Sequence, residues 1–254
     1  MKFIISIISL LVFTTSLPAQ KTAGRKVTFY IVRHGETLLN KLNRVQGWAD
    51  APLTLKGKAV TRALALGLKK IPFMAVYNSD LGRARETTDD ILKEQQGLMP
   101  TRSETSELRE SCFGSYEGSE NKKMWTDAAL YLHYTSVETL FAEIQKTDKL
   151  PDVLAAVKAL DTLKIAEDFN DVSKRMKEWL MKTANAAADK GGNILVVSHG
   201  IAISALLSAI VTQPVIHKPL GNASVTKVTF ENGKFTIHAV GDMQYVEAGL
   251  RLEK

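Results

Sequence analysis

The sequence predicts an α/β fold: a mainly parallel sheet with helices on both faces, an antiparallel hairpin at one edge and a helical cap inserted near the middle. Three observations predict it. Two continuous apolar and β-branched runs, Val27-Thr-Phe-Tyr-Ile-Val32 and Asn193-Ile-Leu-Val-Val197, read as strands buried on both faces. Stretches with helical periodicity lie between the strand signals, the alternation expected of parallel crossovers. Asn232-Gly233 separates two further strand-like runs, Val225–Phe230 and Phe235–Val240, as a two-residue hairpin turn.

The elements follow in chain order. Lys2, the apolar run Phe3–Phe13 and the small, polar exit Thr-Thr-Ser-Leu-Pro-Ala-Gln20 form the pattern of a secretory signal peptide at residues 1–20, with an uncleaved anchor as the alternative. The run falls short of the roughly 20 residues that span a bilayer. The expectation is an exported chain, periplasmic or secreted, with no stable membrane span after cleavage and one domain over residues 21–254. Cys112 is the sole cysteine, so an exported chain gains no internal disulfide and relies on its core.

After Val27–Val32, Leu53-Thr54 opens a helix with Thr54 as cap; Leu55, Ala59, Ala63, Leu64 and Leu68 recur at helical spacing up to Ile71-Pro72. Met74–Tyr77 is a short strand, followed by a helix to about Gln96 that Gly97 stops, and a third strand lies near Thr101–Ser106. Residues 119–165 read as the helical cap. Phe169, Val172, Met176, Trp179, Leu180 and Ala187 line one face of a long helix ended by Gly191-Gly192. Ile201–Ile210 is an apolar helix.

Composition bounds the function. Of 254 residues, 45% are hydrophobic and 24% charged, which excludes a disordered or collagen-like chain. The net charge of +6 is not gathered into a Lys/Arg block, so a nucleic-acid partner is not implied. There is no Cys/His cluster with metal-ligand spacing and no glycine-rich nucleotide loop, so neither metal nor cofactor is expected. The sequence leaves the oligomeric state open.

The chemistry lies at two strand ends. Val32-Arg33-His34-Gly35 and Val197-Ser198-His199-Gly200 each deliver a histidine to the carboxyl edge of the sheet, where ligands of open α/β sheets bind. Each following glycine is expected to let the backbone turn sharply and approach a ligand. The helix from Ile201 aims its N-terminus at the same edge, an end that favours anions. Arg33, and Arg83 after the second strand, add guanidinium forks suited to phosphate. Alone, each piece has a bland reading; converging, they describe a dianion pocket.

This set resembles the histidine phosphatase superfamily, also called phosphoglycerate mutase-like, from about Lys26 to Val240. The family's Arg-His-Gly-Glu-Thr motif stands at Arg33–Thr37, with its asparagine at Asn40. Gln46-Gly47-Trp48, Asp50, Pro52-Leu53-Thr54 and Gly57 follow. Ser79–Thr87 matches the segment of the second phosphate-binding arginine, Leu108-Arg-Glu110 with Phe113–Gly118 the proton-donor segment, and Ser198-His199-Gly200 the second histidine.

The resemblance implies that His34 is a nucleophile forming a phosphohistidine. Arg33, Asn40, Arg83, His199 and Gly200 then form the phosphate site, and Glu110 is the proton donor, with Glu117 its rival. Glu36 has a place in the site or in the turn alone, and Trp48 lines the mouth or only packs. Lys122 and Lys123 are candidate contacts for an acidic substrate. His133, His217 and His238 are read as structural or exposed, and Cys112 as a small buried residue. The phosphatase branch, acting on a small-molecule phosphomonoester, is favoured over a mutase. Ser119–Gly192 holds one arginine, Arg175, where glycolytic mutases use a pair. A non-catalytic phosphate or phosphoprotein binder is the third reading, disfavoured because His34 and Glu110 are both present.

Overall fold

The computed structural model describes residues 25–97, 100–144, 146–211 and 219–252. The expected signal peptide and His217 lie outside them. The first half runs β1 (Val27–Arg33), α1 (Leu38–Lys41), α2 (Leu55–Leu68), β2 (Phe73–Ser79), α3 (Gly82–Lys93) and β3 (Thr101–Thr105). Then come α4 (Asn121–Tyr131), α5 (Val137–Ile144), α6 (Leu150–Leu160) and α7 (Phe169–Ala187). The chain closes with β4 (Gly192–Ser198), α8 (Gly200–Ile210), β5 (Val225–Glu231), β6 (Lys234–Asp242) and α9 (Gln244–Leu252).

Among the described residues the strands form one sheet in the order β3-β2-β4-β1-β5-β6. β1 to β4 are parallel neighbours, and β5 joins β1 antiparallel, with β6 at the edge as the hairpin partner. The double burial of the central strands has a direct cause. Phe29 and Ile31 of β1 and Ile194 and Val196 of β4 face a core made with the cap, α7 and α8. Tyr30, Val32, Leu195 and Val197 face the opposite core with α2, α3 and α9. Alternate residues of a strand point to opposite faces, so a continuous apolar run is what two covering layers require.

Four details differ from the sequence reading. α2 ends at Leu68 rather than near Ile71, and α3 at Lys93 rather than near Gln96, with Gly97 at φ +97° beyond it. Thr54 caps α2 by accepting Gly57 N–H at 2.9 Å, but Leu55 and Ala59 point to solvent. Ala63, Leu64 and Leu68 are buried as expected, and Gly57, Thr61 and Ala65 join them; at the start of the helix the loop carrying Glu36 presses where only hydrogen fits, since a Cβ on Gly57 would stand 2.1 Å from Glu36 O. Finally, α1 and α9 were not expected. α9 crosses α2 through two glycines, since a Cβ on Gly67 would meet Tyr245 O at 1.9 Å and one on Gly249 would meet Ala63 O at 1.7 Å.

The cap occupies the predicted place, as α4, α5 and α6. Its return to the body is fixed by Asp161, buried, whose carboxylate accepts the N–H groups of Ser115, Leu163, Ile165 and Ala166 at 2.8–2.9 Å. Burial pushes that carboxyl up, and the N–H bonds override it, holding it well below the usual carboxylate range.

Candidate active site

β1 and β4 lie parallel with Arg33 opposite Ser198, so the residues that follow, His34 and His199, leave the sheet side by side. Their rings are 5.1 Å apart between centroids and both are buried. Position is further fixed by His34 N–H donating to Ser198 O at 3.0 Å.

The two imidazoles carry opposite tautomers. His34 Nδ1 lies 2.8 Å from Gly35 O, and a carbonyl only accepts, so Nδ1 holds the proton and Nε2 a lone pair. At His199, Nδ1 lies 3.1 Å from Arg83 Nε, and a guanidinium only donates, so Nε2 holds the proton. Burial first, then the charges of Arg83 and Arg33, hold His34 well below its ordinary pKa. Burial, Arg83 and His34 do the same for His199. Both rings are therefore neutral near pH 7: one is a nucleophile, the other a hydrogen-bond donor.

Arg83 is fully buried at the start of α3. It donates to His199 Nδ1, to Ala49 O and Asp50 Oδ1 through Nη1, and to Gly47 O at 2.7 Å through Nη2. Asp50 also accepts the Gly82 N–H, so one carboxylate holds both the helix end and the arginine. With four protein acceptors on the guanidinium, little of the expected bidentate fork remains for phosphate. Its evident work is to set the His199 tautomer, with at least one N–H left over.

Arg33 lines the cleft above. Its Nη1 donates to Leu220 O, while Nε is buried without a partner. Asn40 lines it too: Thr37 caps α1, and Asn40 Oδ1 answers by accepting Thr37 N–H at 3.2 Å and Asn222 Nδ2 at 3.3 Å. That leaves the Asn40 amide N–H₂ as the free end. Gly200 opens α8 beside Arg33; a Cβ there would lie 3.4 Å from Arg33 Nε.

The glycines after the two histidines do not serve sharp turns, since neither has a positive φ. Gly35 serves packing instead: a Cβ would strike Thr61 Cγ2 at 2.6 Å. The expectation that α8's N-terminus is open to an anion is also revised. Glu110 already sits there, Oε2 accepting Ile201 N–H at 3.0 Å and Oε1 accepting Ala202 N–H at 2.8 Å and its neighbour Ser111 N–H at 3.0 Å.

Glu110 lines the cleft and Glu117 does not. The Glu117 carboxylate accepts the backbone N–H groups of Gly47, Trp48, Ala49 and Phe113 at 2.8–3.0 Å, tying two loops together. Glu36 likewise works in the turn, accepting Thr54 Oγ1 at 2.8 Å and Lys56 at 3.2 Å. Trp48 stacks under the Arg109 guanidinium and donates Nε1–H to Glu110 O at 3.1 Å. His238 bonds Thr229 at 2.8 Å on the far hairpin, and His133 stands at φ +63° in a cap loop.

Three residues of the site carried no role in the sequence reading. Gln46 accepts Thr37 Oγ1–H at 2.6 Å and holds a buried Nε2 without a partner on the cleft wall. Asn222 Nδ2 donates to His34 O at 3.0 Å. Arg175, 65 positions from Glu110, donates to its carbonyl at 2.9 Å and to those of Glu107 and Arg109, while its own charge is paired with Glu167. Gln46 lay inside a quoted motif; for Arg175 no local signal exists. Among the described residues, no group of three or more His, Cys, Asp or Glu is placed to hold a metal, and no helix is long and apolar enough to cross a membrane.

The cleft, about 820 Å³, is lined by Arg33, Gln46 and Glu110, and two of its donors, Arg33 Nε and Gln46 Nε2, are buried with no protein partner; His199 Nε2, in the histidine pair, is a third such donor. Native structures seldom leave such groups orphaned. A bound oxyanion is the kind of acceptor such donors lack.

Comparison with known proteins fits this chemistry. A family model described as the histidine phosphatase superfamily (branch 1) matches residues 29–243. A crystal structure of phosphoglycerate mutase from Bacillus anthracis str. Sterne is similar with a TM-score of 0.83 and 39% identity, covering 89% of this chain and 98% of that one. Bacillus stearothermophilus YhfR is similar with a TM-score of 0.69 and 26% identity, covering 87% and 99%. A curated relative from Escherichia fergusonii, "Probable phosphoglycerate mutase GpmB", is 27% identical over 230 residues, 86% of this chain and 94% of its own length.

Proposed function

This chain belongs to the histidine phosphatase superfamily, branch 1, and on that premise we propose that it is a phosphomonoester hydrolase working through a phosphohistidine on His34. The observation that carries this is the pair of opposite tautomers, a bare Nε2 on His34 beside an Nε2–H on His199. A nucleophile must keep its lone pair, and a phosphate ligand must keep its proton; burial among cations secures both states near neutral pH.

In the first step His34 Nε2 attacks phosphorus in line as the ester P–O bond breaks. Arg33, His199, Gln46 and the Asn40 amide donate to the phosphoryl oxygens, charge-assisted in the case of Arg33. Glu110 gives its proton to the departing alkoxide. Its Oε2 accepts only one N–H bond, so it retains capacity to carry that proton. In the second step Glu110 takes a proton from water, the P–N bond breaks, and inorganic phosphate leaves. The substrate is a small-molecule phosphomonoester.

The relatives named as mutases favour a second reading, return of the phosphoryl group to a bound phosphoglycerate. Such transfer needs a grip on the substrate carboxylate. The cap holds no arginine, and Arg175 is committed to Glu167 and three carbonyls. Hydrolysis is the better supported. Export belongs to the same proposal, resting on the leader pattern at residues 1–20; N-terminal sequencing of protein from the native host tests it, and an intact Met1 refutes it.

Incubation with a ³²P-labelled phosphomonoester followed by an alkaline quench tests the chemistry. Base-stable, acid-labile label on the wild type, absent from His34→Ala, is expected, with label released as inorganic phosphate. No labelled protein, or more than about a tenth of the rate retained in His34→Ala, overturns it, since one decade is only about 1.4 kcal/mol. Chase of the label into 3-phosphoglycerate rather than water selects the mutase.

A further inference from the structure

The phosphate end of the cleft is polar, but the space beyond it is not. The cap contributes Met124 and Trp125 from α4, Phe141 and Ile144 from α5, and Leu150 from α6. Trp125 and Phe141 meet edge to face with centroids 5.2 Å apart, and Phe141 is 41% exposed, an apolar ring left open for so large a side chain. Asn121 is the cap's one polar side chain on the cleft wall among the described residues.

Four of the cap's lysines are engaged elsewhere. Lys123 pairs with Asp127 at 2.6 Å, Lys146 with Glu143 at 3.1 Å, Lys149 with Asp152 at 2.9 Å, and Lys158 with Asp168 and Asp171 at 2.8 and 2.5 Å. None of these lysines, nor Lys122, lines the cleft. Beyond Arg33, the cation on its wall is Arg44, at the rim, bonded to Gly118 O at 3.4 Å and paired with Glu120 at 4.0 Å. The volume, about 820 Å³, lies within the about 300–1,000 Å³ typical of small-molecule sites. It far exceeds what a phosphoryl group alone occupies.

Resting on the hydrolase reading above, we propose that the substrate is the phosphomonoester of an apolar, uncharged alcohol whose hydrocarbon part fills the cap, and not a short phosphorylated hydroxy acid. The wall rewards burial of CH₂ and ring carbons, and it desolvates a carboxylate without supplying a partner, which is costly.

A series of n-alkyl monophosphates from ethyl to octyl, assayed with the full chain, isolates this. The leaving alkoxides are nearly equal in basicity, so the chemistry is constant and the slope of kcat/KM with length reads the cap. The expected rise is two- to fourfold per methylene, fourfold corresponding to about 0.8 kcal/mol per buried CH₂. Octyl phosphate should exceed 3-phosphoglycerate. Trp125→Ala and Phe141→Ala, either sufficing if the other misfolds, should raise KM for the long esters and flatten the slope. A flat or falling series, or a preference for 3-phosphoglycerate, while phosphohistidine still forms on His34, overturns the apolar class and leaves the hydrolase standing. No phosphohistidine with any ester overturns both.

Discussion

Acidification should destabilise this protein through two histidines. His34 and His199 are held well below their ordinary pKa of 6.5 by burial and by neighbouring arginines, so the folded state excludes their protons while the unfolded chain accepts them. Stability from this source is complete above about pH 6.5 and is lost as the pH falls below it. The loss between pH 7.5 and 5.5 is bounded by proton uptake of the unfolded chain, RT ln(1 + 10^(6.5 − pH)) for each histidine, so the pair together accounts for up to about 3 kcal/mol. For a chain this long that is a fall of up to about 10 °C in Tm. The carboxylates with depressed pKa values, such as Asp80, Asp161 and Asp168, lose their contribution only below about pH 4–5, outside the window. Urea unfolding at the two pH values, on wild type and on His34→Gln/His199→Gln, measures the effect. The wild type should lose the full amount, the single variants half, and the double variant close to none. Equal pH sensitivity in wild type and double variant would refute the neutral pair and with it the reading of His34 as a ready nucleophile.

Glu110→Gln should slow phosphorylation by alkyl phosphates far more than by p-nitrophenyl phosphate, whose leaving group needs no proton; single-turnover rates with both esters decide it, and the larger dependence in Glu117→Gln would move the acid role there. Glu117→Gln should instead lower stability by about 2–4 kcal/mol, because an amide cannot accept all four N–H groups the carboxylate holds; chemical denaturation measures this. Asp161→Ala should cost about 2–4 kcal/mol for the same reason, its four backbone N–H partners losing their acceptor. Gly249→Ala should destabilise by about 1–3 kcal/mol, since its Cβ would press on Ala63 O and push α9 off α2; an unchanged Tm would contradict that packing.

Much of the architecture was legible because it rests on local rules. Continuous β-branched runs report two-sided burial, and Asn-Gly reports a hairpin. Apolar residues at helical spacing report α7, whose predicted face is buried throughout. Where a glycine or threonine formed the contact, the rule failed. The stripe of α2 was assigned to Leu55, Ala59, Ala63, Leu64 and Leu68; the last three are buried, but at the start of the helix the contact with the Glu36 loop needs the absence of a side chain at Gly57, which apolar periodicity does not score. α9 escaped for a related reason. Its nine residues include a glycine, unfavourable in an isolated helix, and it forms because α2 receives it.

By itself the sequence determined the fold class, the two strand-end histidines, the arginines and the carboxylate candidates, because motif residues at strand ends need only the strands to be placed. The tertiary structure decided their states. Which strands are neighbours, and in what register, is set by packing between segments far apart in the chain, and it is the Arg33–Ser198 pairing that sets His34 beside His199. The tautomers depend on partners 1 and 116 positions away, and the contrast between Glu110 in the cleft and Glu117 among backbone N–H groups depends on loops that meet only in the folded chain. The apolar character of the cap cavity has the same origin: its residues were visible one by one, but which of them turn inward follows from how three short helices close over the sheet edge.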